Sequence, residues 1–180
     1  MSQNANVNDV RLELLTEAHL PAFAEIVDDP DVLRFTRFPA PPEPGFAEQW
    51  YARYQAGRQK ATSEVFAAMS AEGDFLGVAL APHIDPVASE MELGYLVVPA
   101  ARGRGVASEM LRQLTSWAFT ERRTMRATLL IDVAHVASQR VAVRAGYTLE
   151  GVMRSTYFKP GAERSDVQLW SRLPSDPFPG

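Results

Sequence analysis

The sequence predicts an α/β domain with a mixed, mainly antiparallel sheet flanked by helices. Three observations predict it. Short apolar runs, some alternating and some continuous at the centre, recur at 10–14, Glu64–Met69, Phe75–Ala81, 90–98, Met125–Val133 and Val167–Leu173. Between them lie stretches with the three-and-four spacing of a buried helix face. At 90–107, EMELGYLVVPAARGRGVA, an apolar strand runs through Pro99 into a short, basic, glycine-rich loop that opens a helix.

In chain order, Val10, Leu12 and Leu14 alternate with Arg11 and Glu13, giving a first strand. Thr16 is placed to cap a helix through Val27, and Asp28-Asp29-Pro30-Asp31 breaks it. Phe38–Gly45 is proline-rich and reads as a loop. A second helix follows from Phe46 to about Ala56, with Gly57 as its stop. Glu64–Met69 and Phe75–Ala81 form a hairpin across 71–74, and 82–89 is a loop before the strand at 90–98. The helix after the basic loop is the clearest, with Val106, Ala107, Met110, Leu111, Leu114, Trp117 and Ala118 on one stripe. Met125–Val133 is a strand. Ser138–Ala145 is a short helix, capped by Ser138 and ended by Gly146. Strands at 147–152, 155–158 and 167–173 complete the set, with a turn at 159–162. At 180 residues one domain is expected, 9–174, with a disordered segment at 1–8 and an irregular tail at 175–180.

The loop carries the chemistry. Gly103 and Gly105 let the main chain approach a ligand closely, and amides at the positive end of a helix favour an anion. The spacing excludes two phosphate loops. No Gly-Lys pair exists for a P-loop, and Gly103-x-Gly105-x-x-Ser108 lacks the third glycine of a dinucleotide fingerprint.

Composition narrows the classes. There is no cysteine, and His19, His83 and His135 have no zinc-ligand spacing, so no metal is expected. No apolar segment spans a membrane and MSQNANVND has no signal-peptide core, so a cytoplasmic location is expected. The formal charge of −4 is uneven: residues 101–154 hold nine Arg against four acids, and the rest holds nine Lys or Arg against eighteen acids. The positive segment contains the anion loop, which suits a polyanionic ligand. Its basic residues lack interleaved aromatics, and the acidic remainder opposes nucleic acid.

Arg102, Gly105 and Ala107 meet the pattern Gln/Arg-x-x-Gly-x-Gly/Ala, and in it the sequence resembles the GNAT superfamily of acyl-CoA-dependent N-acyltransferases. ELGY before the loop and ASQRVAVRAGYTLEGVMR after it are similar to the RimJ/RimL-like branch, which contains ribosomal-protein N-terminal acetyltransferases. The likeness runs from about Val10 to Leu173. It implies a GNAT fold, in which the strand before the loop and the strand at 125–133 splay apart to receive acetyl-CoA. It also implies that backbone groups of Leu96, Val97 and Val98 hold the pantetheine arm and acyl carbonyl. The loop of Arg102, Gly103, Arg104, Gly105, Val106 and Ala107 would hold the pyrophosphate.

Acyl transfer to an amine needs a base, a held thioester and a protonated leaving thiolate. Glu92 is the candidate base, sharing a strand face with Glu90, Gly94 and Leu96; a structural or ammonium-binding role is the equal alternative. Asp166 matches an acidic position of the family and reads equally as a strand-edge residue. For the acid, the family's usual tyrosine is replaced by Ala142, leaving Ser138 in the catalytic set, against a pure capping role; Tyr147 is weaker, as a core aromatic. His135 stands where the family often has an asparagine on the pantetheine arm, and an imidazole can donate a comparable bond. Phe35, Arg37, Phe38, Trp50 and the hairpin 157–164 are the candidates for the acceptor pocket, with the aromatics alternatively core.

The resemblance thus implies acetyl transfer by direct attack to a primary amine, on a protein N-terminus or a small molecule, with internal lysine second. The acidic remainder favours a cationic acceptor. A non-catalytic acyl-CoA-binding module and a larger donor such as succinyl-CoA are the alternatives, and a homodimer is left open.

Overall fold

Alternation at the start of the chain builds the edge of a seven-stranded sheet. The computed structural model describes residues 10–159 and 163–177. Along the chain, β1 (Arg11–Leu14) leads through a 3-10 turn at Glu17–His19 into α1 (Leu20–Val27), α2 (Pro30–Phe35) and α3 (Phe46–Gln59). Next come β2 (Glu64–Met69), β3 (Phe75–Asp85) and β4 (Glu90–Val97). A second 3-10 turn, Pro99–Ala101, precedes α4 (Val106–Thr120), β5 (Arg126–Asp132), α5 (Val136–Arg144), β6 (Thr148–Tyr157) and β7 (Ser165–Arg172). The spatial order is β1-β2-β3-β4-β5-β7-β6. Every neighbour is antiparallel except β4 and β5.

That parallel pair is short. Glu90, Met91 and Glu92 pair with Arg126, Ala127 and Thr128, and the ladder stops there. β5 continues against β7 to Asp132, while β4 continues against β3 to Val97. Each strand keeps its outer partner and loses its inner one, so a gap opens in mid-sheet with unpaired backbone on both walls. The splay implied by the resemblance is present.

Two cores lie on the two faces. One packs Met91, Leu93, Val97, Ala127, Leu129 and Ile131 under Met110, Leu111 and Leu114 of α4 and Ala142 of α5. The other packs Val65, Ala67 and Val78 under Phe23, Ile26, Trp50, Tyr51 and Tyr54 of α1 and α3. The α4 stripe read from the sequence is the first core's main contributor.

Several boundaries differ from the sequence reading. Gly57 does not end α3; it is buried inside the helix, where a Cβ would sit 1.8 Å from the Ser63 hydroxyl. It is a close-packing glycine. The segment after Asp29 is helical: Asp29 caps α2 by accepting from the Asp31 and Val32 amides. Pro82 lies within β3, at a bulge between Leu80 and His83, which is how a strand absorbs a residue without an N–H. Strand β6 is continuous, with register shifts where two strands were expected. Ser138 is the third residue of α5, and His135 holds the cap position. Segment 1–8, the interior of the turn at 159–162 and residues 178–180 of the tail lie outside the described residues.

Candidate active site

The loop between Val97 and α4 is built to leave donors free. Gly103 and Gly105 both take left-handed conformations, φ +73° and +82°, which only glycine adopts cheaply. The first bonded amide of α4 is that of Glu109, which donates to the Gly105 carbonyl. The amides of Gly103 through Ser108 meet no backbone acceptor among the described residues. The Ser108 hydroxyl, in the same first turn, is buried without a partner among the described residues. Free amides, a helix N-terminus and an orphaned hydroxyl together fit a phosphorylated ligand.

Arg102 is different. Its guanidinium donates to the Val97 carbonyl at 3.1 Å and pairs with Asp29 at 2.7 Å and Asp31 at 3.3 Å. Its amide donates to Pro99. Arg102 therefore ties the loop to the N-terminus of α2, with each guanidinium nitrogen engaged once. Arg104, by contrast, is exposed.

Register decides which residues of β4 face the gap. The Val98 amide donates to the Leu76 carbonyl, so 76/98 is a hydrogen-bonded pair. Alternation makes Val78/Leu96 another, and leaves Val97 and Tyr95 as non-bonded pairs with backbone groups turned from β3 towards the gap. Of Leu96, Val97 and Val98, only Val97 presents its main chain there. Tyr95 does the same and was missed.

Tyr95 matters for its side chain as well. Its hydroxyl lies 2.8 Å from the Ser138 hydroxyl, joining β4 to the first turn of α5 across the gap. Burial pushes the phenol up to about 12, with the Ser138 contact opposing, so it stays protonated at neutral pH. Ala142 is fully buried in the core and leaves no room for a tyrosine. Beside Ser138, the His135 ring stacks flat on Phe35, with centroids 3.9 Å apart and 4° between planes. Burial lowers the His135 pKa, against the pull of Asp132 and Asp31, so the neutral ring predominates at neutral pH.

Glu92 sits on the opposite face, at the last rung before the gap. It is half-buried, and burial raises its pKa, with Arg37 and His83 pulling the other way. His83 is its register partner on β3, and Tyr54 of α3 feels its charge. It forms no hydrogen bond or ion pair with a described residue. A carboxylate so placed, made more basic by burial, can serve as a general base.

The remaining candidates are engaged elsewhere. Glu90 pairs with Arg126, which also grips Glu150. Asp166 accepts from the Ser155 amide, the strand-edge role. The Tyr147 hydroxyl is buried against Thr115, a core contact. Phe38 and Trp50 are core. An open groove of about 640 Å³ between β1–β2 and α4, lined by Leu12, Phe66 and Trp117, contains none of these residues. Among the described residues no cluster of His, Asp and Glu could hold a metal, and no helix is long and apolar enough to cross a membrane.

A family model described as an acetyltransferase (GNAT) domain matches residues 9–148. The ribosomal-protein-serine acetyltransferase of Escherichia coli (strain K12) is 28% identical over 102 residues, 57% of this chain and 56% of the relative. The putative ribosomal N-acetyltransferase YdaF of Bacillus subtilis (strain 168) is 26% identical over 102 residues, 57% and 55% of the two. The matched stretch thus spans about half the length of these curated relatives. In fold, the chain is similar to RimL, a ribosomal L7/L12 α-N-protein acetyltransferase in complex with coenzyme A: TM-score 0.84, 21% identity, 92% of this chain and 94% of that one. It is also similar to the Vibrio cholerae spermidine N-acetyltransferase in complex with CoA and spermine: TM-score 0.83, 16% identity, 94% and 98%.

Proposed function

Because this chain belongs to the GNAT acetyltransferase family, we propose that it moves an acetyl group from acetyl-CoA to a primary amine by direct attack. The observation that carries this reading is the run of unbonded amides from Gly103 to Ser108, leading from the strand that borders the gap. In this reading those amides hold the pyrophosphate, Arg104 adds charge, and the Val97 amide, whose carbonyl is held by Arg102, receives the pantetheine arm together with the Tyr95 backbone. His135 supplies a ring N–H beside it. Acetyl-CoA supplies the activated acyl group.

Glu92 and Ser138 approach the gap from opposite faces. Glu92 takes a proton from the acceptor ammonium, directly or through water, and the freed nitrogen attacks the thioester carbonyl. As the carbon–nitrogen bond forms and the carbon–sulfur bond breaks, the Ser138 hydroxyl donates its proton to the thiolate, and it regains one as the new amide nitrogen releases its second proton to solvent. The Tyr95 hydroxyl shares a hydrogen bond with Ser138, so the two hydroxyls take the place of the tyrosine that Ala142 replaces. The acceptor, cationic at its amine, is a small molecule or exposed N-terminus in preference to an internal lysine. The setting is cytoplasmic, following from the co-substrate. A second copy would meet β6, the exposed outer strand that carries Leu149 and Val152.

Calorimetric titration of Gly105→Val tests the loop. A β-branched residue at φ +82° distorts the site and places bulk against the pyrophosphate. With the fold checked by circular dichroism, acetyl-CoA affinity is expected to be lost. Unchanged affinity would overturn the loop assignment.

A further inference from the structure

Arg37 offers more than the transfer step uses. It is exposed, just beyond α2, with its guanidinium 5.2 Å from the ring centroid of Tyr157. It makes no hydrogen bond or ion pair with a described residue. The Tyr157 hydroxyl is buried and also lacks a partner among the described residues. Burial pushes this phenol up to about 12, so it remains a donor at neutral pH. Buried hydroxyls are seldom left unbonded, and a ligand acceptor would satisfy this one.

Arg37 is the group that Glu92 and Tyr157 share. Arg37 acts electrostatically on Glu92 as well as on Tyr157. His83 flanks Glu92 across the strand register, and Arg53 acts on neighbouring Tyr54. Of the nearby acids, Asp29 and Asp31 are paired with Arg102, whereas Asp132, held by the Ser165 hydroxyl and Ala134 amide, and Asp166, held by the Ser155 amide, keep their charge, and Asp132 acts on Tyr157. The charged groups that act on Glu92 itself are thus basic, Arg37 and His83, although the whole chain carries −4.

We propose that Arg37 and the Tyr157 hydroxyl form an anion subsite, and that the acceptor is a small amine carrying a carboxylate or phosphate a few bonds from its nitrogen. This rests on the transfer reading above. The acceptor's ammonium faces Glu92 while its acidic group accepts from guanidinium and phenol, a pair of strong, directional bonds. A polyamine would set a second ammonium against Arg37.

The test uses matched acceptors with acetyl-CoA saturating. One arm compares α-amino acids with their amides, and the other compares phosphoethanolamine with ethanolamine; spermidine is the polycationic control. The wild type is expected to favour the acidic member by about tenfold or more in kcat/KM, in the arm whose acid it takes. Arg37→Gln and Tyr157→Phe should each bring that ratio towards one, and Arg37→Lys should keep part of it. Melting temperatures confirm that the variants fold. A wild-type preference for the amide, the alcohol or spermidine would overturn the inference, as would an acid preference that survives in both variants. If only uncharged or polycationic amines react, the transfer reading stands and this inference falls. If acetyl-CoA binds and no amine in the set is acetylated, the transfer reading fails and takes this one with it.

Discussion

Glu92 draws its chemistry from its rung. Half-buried, at the last pair before the strands part, it is easier to protonate than an exposed carboxylate. Its folded pKa lies above its unfolded value, so its favourable share of stability is full below that unfolded value, about 4.3, and is lost as pH rises through the folded pKa. Glu92→Gln should therefore melt at the same temperature as the wild type or higher at neutral pH, with the advantage shrinking in acid. Its kcat should fall by about a hundredfold to ten-thousandfold at neutral pH, with partial recovery at high pH where free amine is abundant. A variant with wild-type kcat across the profile would move the base to water or His135. Glu92 was legible in the sequence because strand alternation is a local signal. The Tyr95–Ser138 contact spans 43 residues and was not. Tyr95 visibly shares a face with Met91, Leu93 and Val97, but its partner depends on where α5 docks. Arg37 was named for the acceptor region without a role, because Tyr157 comes from a distant strand.

At the scale of elements, α2 links the two walls of the gap. Asp29 at its start holds Arg102 of the loop, and Phe35 at its end stacks on His135 of the α5 cap. Lys159 adds a bond to the Leu33 carbonyl. Burial raises the Asp29 pKa, but Arg102 and the Val32 and Asp31 amides outweigh it, and the net pKa is lowered. The stability Asp29 contributes is thus present above about 3.9 and lost as pH falls through the folded value. Asp29→Ala should cost about 0.5–2 kcal/mol through the cap alone, read by urea unfolding at neutral pH, and should weaken acetyl-CoA binding as Arg102 loses its anchor. Wild-type stability and affinity together would show that Lys159 and Phe35 hold α2 without it. The helix was hidden in the sequence because six residues offer too little periodicity to read. Gly57 and Pro82 misled for a related reason. Glycine and proline mark breaks on average, whereas here packing against Ser63 and a strand bulge accommodate them.

Over the whole molecule, strand order does what no single residue can. Antiparallel partners on both sides hold β4 and β5 in place while their shared ladder ends at Glu92 and Thr128, so the gap is fixed by the sheet itself. Helix α4 then starts beside that gap with the amides of Val106 to Ser108 unbonded among the described residues, and α5 brings Ser138 to the far wall. The local patterns of α4 and its loop made this much of the fold readable. Net charge was less informative, since −4 over the chain says little about a rim where Arg37 and His83 face one carboxylate. The most direct test of the account is turnover: acetyl-CoA with a broad amine panel, followed by thiol release and product mass in parallel. The account predicts thiol release matched one for one by acetylated amine with at least one acceptor, and strongly reduced by Glu92→Gln. Tight acetyl-CoA binding with neither thiol release nor acetylated product, for every amine and across neutral and alkaline pH, would contradict it and identify a binding module.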